Sequence, residues 1–182
     1  MAKKDLDLDL VKAIYEKLTL EAEEEGGSNY DKSRAMVPYI VDWGDYFNET
    51  ERKIWDDLRT HGVWLYPKYP IDKYFIQFGN PFYKVGVHIT YNNSVYDQSE
   101  KLLKLREQGW VIYEFPSKYV FESAEGLYMR LYGDERSDNW FDDLSEEETE
   151  EMNRKWDKFV YDNRFKNSEC FALFLKGKYF QP

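Results

Sequence analysis

Cysteine occurs once in these 182 residues, at Cys170, and histidine twice, at His61 and His88. A lone thiol excludes an internal disulfide, which fits a reducing compartment. No Cys/His/Asn spacing is present to support nucleophilic catalysis, and no Gly-rich phosphate loop appears. Long apolar runs are also missing. The opening MAKKDLDLDLVKAIYEKL alternates acids with apolar residues, and no segment reaches the roughly 20 apolar residues needed to span a bilayer, so a soluble, cytoplasmic protein is expected. Basic charge is scarce too: 25 Lys and Arg face 35 Asp and Glu, for a formal charge of -10. That balance opposes the electrostatic footprint of a nucleic-acid binder, although patches matter more than sums. Residues 61 to 122 carry seven basic and six acidic side chains. The acidity therefore sits in the two ends, and a site is expected in the middle.

Aromatic residues are abundant, with 16 Tyr, 12 Phe and 6 Trp. Much of the buried area must come from rings with a polar tip, and such rings also serve as anchors for a partner. From Asp7 to about Glu25, Leu10, Val11, Ile14 and Leu18 recur at helical spacing before Gly26-Gly27 stops the pattern. Asn48 and Glu51 have capping-box spacing, and Ile54, Trp55 and Leu58 give a buried stripe, predicting a helix over Glu49 to Thr60. VWLYPKYPIDKYFIQF, a GNP turn and FYKVGVHITY read as strand, strand, turn, strand. YDQSEKLLKLREQGW predicts a helix carrying Leu102, Leu103 and Leu105 and closed by Gly109, after which VIYEFP is a strand ended by Pro116. The order is α/β, with the last strand returning beside the hairpin. Beyond it, SAEGLYMRLYG reads as a short helix. SEEETEEMNRKWDKFVYDNR reads as a second one, with Ser145 and Glu148 at capping-box spacing and Met152, Trp156, Phe159 and Val160 on one side. CFALFLKGKYF is apolar enough for a strand or a buried helix, and periodicity leaves both open.

The run NETERKIWDDLRTHGVWLYPKYPI, YFIQFGNPFYKVGVHIT and LLKLREQGWVIYEF resembles the small domain related to the very-short-patch-repair endonuclease, within the PD-(D/E)XK restriction-endonuclease-like superfamily. The resemblance covers Asn48 to Pro116. It implies a restriction-endonuclease-like core over 47–118, preceded by a helix and linker over 1–46. An acidic, mainly helical extension over 119–182 would pack on that core. It also implies metal-binding acids at positions 77 and 88 and a third motif residue at 90. The chain has Gln77, His88 and Thr90 there, and only Glu51 survives of the commonly functional carboxylates, at a position where helix capping already accounts for a Glu.

Mg²⁺-dependent phosphodiester hydrolysis needs hard anionic oxygens. Gln77 offers a neutral amide oxygen, and imidazole suits softer metals. The expected reading is a pseudo-nuclease without cofactor that binds a macromolecule through aromatic and acidic surface of its terminal extensions. Glu146, Glu147, Glu148, Glu150 and Glu151 are the candidate partner-binding residues, protein is the expected partner, and nucleic acid is disfavoured by charge. Two alternatives stand beside it. One is an active endonuclease whose divalent metal is held by Glu51, Gln77 and His88, with Asp97 or Glu100 moving in. The other is an acidic DNA mimic acting through Glu146, Glu147, Glu148, Glu150 and Glu151. The bland readings are a hydrogen-bonded core histidine at His88, a helix-dipole partner at His61, a buried thiol at Cys170, and core or sheet roles for Tyr66, Tyr69, Tyr74, Phe75 and Phe78.

Overall fold

Elements are assigned in a computed structural model of the chain, which describes residues 7–24, 42–91, 99–119 and 144–181. Helix α1 spans Leu8–Glu24. A 3-10 turn, Trp43–Asp45, then leads into α2, Glu49–Thr60. The start of α2 follows from local chemistry. Asn48 Oδ1 accepts from Glu51 N at 2.8 Å and Glu51 Oε2 accepts from Asn48 N at 3.0 Å, so two otherwise unpaired amides are satisfied reciprocally. Its end is equally local. Gly62 takes φ of 71°, its N–H reaches Arg59 O and Val63 N–H reaches Leu58 O, the paired bonds of a Schellman motif.

Strands β1 (Tyr66–Ile71), β2 (Tyr74–Asn80) and β3 (Val85–Thr90) form an antiparallel meander. Helix α3, Ser99–Glu107, carries the chain across to β4, Val111–Pro116, which pairs parallel with β3 from Val85↔Val111 to Thr90↔Pro116. A parallel neighbour requires such a crossover, and the sheet order is β1-β2-β3-β4. Helices α4, Glu146–Asn163, and α5, Ser168–Tyr179, complete the described chain. Among the described residues the fold is therefore α/β, a four-stranded mixed sheet with five α-helices.

Strand alternation sends the two faces of the sheet into two cores. Val85, Val87 and Ile89 join Ile54 and Leu58 of α2, Val11 and Tyr15 of α1, and Phe171, Ala172 and Leu175 of α5. The other face carries Ile76 and Ile112 against Leu102 and Leu105 of α3 and Trp110. The terminal helices thus share one core with the sheet. Alternation slips in β2, where Ile76 and Phe78, two residues apart, enter opposite cores, and also in β1. Lys68 has φ of 48°, and Tyr66 and Tyr69, three residues apart, both reach the ring of Tyr15, with centroids 6.3 and 5.2 Å away.

Three expectations need correction or completion. The turn after β2 is not Gly-Asn-Pro: Gly79 and Asn80 are paired strand residues, and the turn is formed by residues 81–84. Leu103 is exposed, whereas Leu102 and Leu105 are buried, because a helix face that takes residues three apart rotates the one between them outward. The Cys170 to Tyr179 part of the terminal stretch lies in a helix, and Phe180 caps its end. Asn167 Oδ1 caps it by accepting from Glu169 N and Cys170 N, and Ser168, Phe171, Ala172 and Leu175 are buried at helical spacing. Gly109 closes α3 as expected, at φ of 85°. The expected short helix SAEGLYMRLYG and the candidate ligand Asp97 lie outside the described residues.

Candidate functional site

Glu51, on the first turn of α2, is 3% exposed. One carboxylate oxygen closes the capping box, and the other receives Lys68 Nζ from β1 in an ion pair. Burying a carboxylate is costly unless charge and hydrogen bonds compensate it, and here both do. Lys68 reaches it from the left-handed backbone position where β1 slips. Beside them, Tyr91 Oη accepts from Asn48 Nδ2 at 2.9 Å. Burial pushes the Tyr91 hydroxyl pKa up, its Asn48 hydrogen bond lowers it, and the nearby Glu51 charge raises it. Lys101 of α3 is half-buried. Its pKa is lowered by burial first and by the charge of Lys68 second.

Gln77 and His88 form a separate pair. They are the next residues along β2 and β3 beyond the Phe78↔Val87 pair. Their side chains meet, with His88 Nδ1 2.9 Å from Gln77 Oε1. An amide oxygen only accepts, so the imidazole carries its proton on Nδ1 in this contact. His88 is 2% exposed and alternates with Val87 and Ile89, so its side chain leaves the opposite face of the sheet from the core shared with α2. Thr90 Oγ1 approaches the carbonyl of Phe115 at 3.5 Å.

The four positions thus separate into Glu51 with Lys68, Gln77 with His88, and Thr90 against the β4 backbone. Among the described residues, no group of three or more His, Cys, Asp or Glu side chains is gathered so as to hold a metal ion. Glu100, named as a replacement ligand, is exposed and paired with Lys104 of the same helix. The candidate partner residues Glu146, Glu147, Glu148, Glu150 and Glu151 are all exposed on the first turns of α4, where Glu148 closes a capping box with Ser145 and Glu151 pairs with Lys155. His61 lies at the C-cap of α2, its Nε2 3.4 Å from Glu169 Oε1. Cys170 is buried, and burial pushes its thiol up to about 11. Among the described residues, no helix is long and apolar enough to cross a membrane.

Sequence reasoning missed Lys68, Tyr91 and Lys101. A buried capping glutamate calls for a counter-charge, and that requirement points to a lysine without saying which one. An exposed aromatic patch was also not localised. Trp64, Phe82 and Tyr83 are 37%, 43% and 44% exposed at one end of the sheet. They are gathered by the fully buried Asn80, whose Nδ2 donates to Trp64 O and whose Oδ1 accepts from the amides of Phe82 and Tyr83. Tyr83 also packs on Phe180 at 5.0 Å.

This geometry belongs to an α/β protein with a mixed sheet and a buried, ion-paired glutamate at a helix start. Comparison with protein-family models, with curated proteins and with solved structures returns no match.

Proposed function

We propose that the chain is a catalytically inactive, nuclease-like domain that acts as a protein-binding module. The observation that carries this reading is that the residues at the resemblance's site positions are held by separate partners within the chain. Glu51 is committed to Lys68 and its own helix cap, and Gln77 is bonded to His88. Hydrolysis of a phosphodiester needs anionic oxygens directed at a metal, whereas here the one carboxylate is already neutralised by an ammonium. The restriction-endonuclease-like assignment rests on the sequence resemblance and is compatible with the helix, meander, helix and strand order.

The patch of Trp64, Phe82 and Tyr83 supports the binding half of the proposal. Aromatic side chains are enriched in protein interfaces, and the overall charge of -10 repels a polyanion such as DNA. The test is cleavage of single-stranded, duplex and mismatched DNA with Mg²⁺ or Mn²⁺, for which no product is expected. Metal-dependent cleavage that disappears in Glu51→Ala or His88→Ala overturns the proposal in favour of an endonuclease with an atypical metal site.

A further inference from the structure

We infer that Tyr113, Phe174 and Tyr179 form an aromatic cage for a methylated ammonium group, occupied here by the chain's own Lys178. This goes beyond the protein-binding reading and is independent of positions 51, 77, 88 and 90. Lys178 and Phe174 lie one turn apart on α5, Tyr179 ends that helix, and Tyr113 comes from β4. The Lys178 Nζ stands 5.6 Å from the ring centroid of Tyr113, 5.7 Å from that of Phe174 and 5.5 Å from that of Tyr179. The Phe174 and Tyr179 rings meet the Tyr113 ring at 82° and 70°, with centroids 5.5 and 6.3 Å from it. Three walls therefore surround one cation, two of them steeply inclined to the third. The face of each ring is electron-rich and attracts a cation within about 6 Å of its centroid. All three rings are only half-buried, so the cage is reached from solvent.

Lys178 is a loosely held occupant. Its ammonium donates to Tyr113 Oη at 2.9 Å, which draws it to the hydroxyl edge of that ring, and its side chain is exposed. Among the described residues it has no carboxylate partner. Arg164, at the end of α4, provides the contrast, because its guanidinium lies 4.0 Å from the Tyr161 centroid and also donates to the Tyr161 carbonyl. An exposed cation–π contact favours its bound form by only about two- to fivefold, so an incoming cation displaces the lysine readily. Hydration selects the ligand. A primary ammonium has three N–H donors that water satisfies as well as a hydroxyl does. A trimethylammonium group has none, and it presents its charge through methyl groups that pack on ring faces. The net charge of -10 adds a general attraction for cations.

The test is a titration of the full chain with choline and with N-acetyl-trimethyllysine amide at constant ionic strength. The controls are 3,3-dimethylbutanol, the neutral isostere of choline, and N-acetyl-lysine amide. A saturable ring-current shift of the N-methyl proton resonances is expected for the methylated cations and not for the controls. Tighter binding of choline assigns the cage to a soluble ligand, and tighter binding of the trimethyllysine amide assigns it to a methylated partner protein. Lys178→Gln empties the cage and should tighten binding about threefold, a gain that misfolding cannot produce. Tyr179→Phe should retain affinity and Tyr179→Leu should lose it by about fivefold or more, with folding checked by an unchanged thermal midpoint. The proposal is overturned by equal affinity for choline and its neutral isostere, by equal affinity for the two lysine amides, by no tightening in Lys178→Gln, or by full affinity in Tyr179→Leu. None of these readouts involves DNA, so cleavage activity would leave the cage standing.

Discussion

Asn80 ties the end of β2 to Trp64, sixteen residues earlier, by donating from Nδ2 to the Trp64 carbonyl at 2.7 Å. The same side chain accepts from two turn amides, so one buried amide group fixes a loop start, a strand end and a turn. Asn80→Ala leaves three backbone groups without this partner and should lower unfolding free energy by about 2–3 kcal/mol. Urea denaturation measures the loss. Exposure of the Trp64 and Tyr83 rings should change with it, read as altered acrylamide quenching.

Gly86 sits beneath Ile76 and Ile112. A Cβ at that position would lie 2.1 Å from Ile76 Cδ1 and 3.1 Å from Ile112 Cδ1. Gly86→Ala should therefore cost about 1–3 kcal/mol through overpacking. Ile76→Val removes the offending Cδ1 and alone should cost about 0.5–1.5 kcal/mol. In the double variant the two losses should fall short of additivity by at least about 0.5 kcal/mol, and additive losses in a denaturation cycle would show that Ile76 is not the obstacle.

The Glu51–Lys68 pair should behave as a buried ion pair. Lys68→Met strands the carboxylate and should cost about 3 kcal/mol or more, while Glu51→Gln with Lys68→Met removes both charges and should recover part of that loss. Equal stability of the single and double variants, measured by chemical denaturation, would contradict this account.

Cys170 supplies the pH prediction. Its folded thiol is pushed up to about 11 by burial, above its unfolded value, so the native state holds that proton more tightly. The associated stability is fully present below the unfolded thiol pKa near 8.5 and is lost as pH rises towards 11. Thermal midpoints measured from pH 8 to pH 11 should therefore fall less in Cys170→Ala than in the parent. Thiol modification of the parent at pH 8 should be at least roughly a hundredfold slower than for an exposed cysteine, because it waits on opening.

Glu146, Glu147, Glu150 and Glu151 can be changed to Gln while Glu148 keeps the helix cap. With protein binding carried by the Trp64, Phe82 and Tyr83 patch, partner affinity should change less than about threefold, since exposed charges contribute little each. Loss of binding in this variant, combined with a steep salt dependence in the parent, would instead support the DNA-mimic alternative.

What could be read in the sequence was what local chemistry decides. The Asn48–Glu51 and Ser145–Glu148 boxes join residues three apart, so both helix starts were legible. The end of β2 was misplaced because Asn80 looks like a turn residue until Trp64 is seen to accept from it. The helical state of Cys170 to Tyr179 depended on reading Ser168, a small polar residue, as part of the buried stripe. Gln77, His88, Thr90 and Glu51 were legible as a set only through family resemblance. Their actual partners, Lys68 above all, lie elsewhere in the chain. A lysine between prolines carries no periodic signal for a carboxylate seventeen residues before it.

The slip in β1 bears on how this sheet can meet other chains. Within the described residues β1 is a terminal strand, and its Pro67 and Pro70 nitrogens carry no hydrogen to offer, on either side of the left-handed Lys68. An incoming strand would find neither a straight edge nor a continuous row of donors there, a natural guard against runaway edge-to-edge aggregation. Among the described residues, strand addition is therefore opposed on the β1 side of the sheet, where an incoming chain finds no regular template.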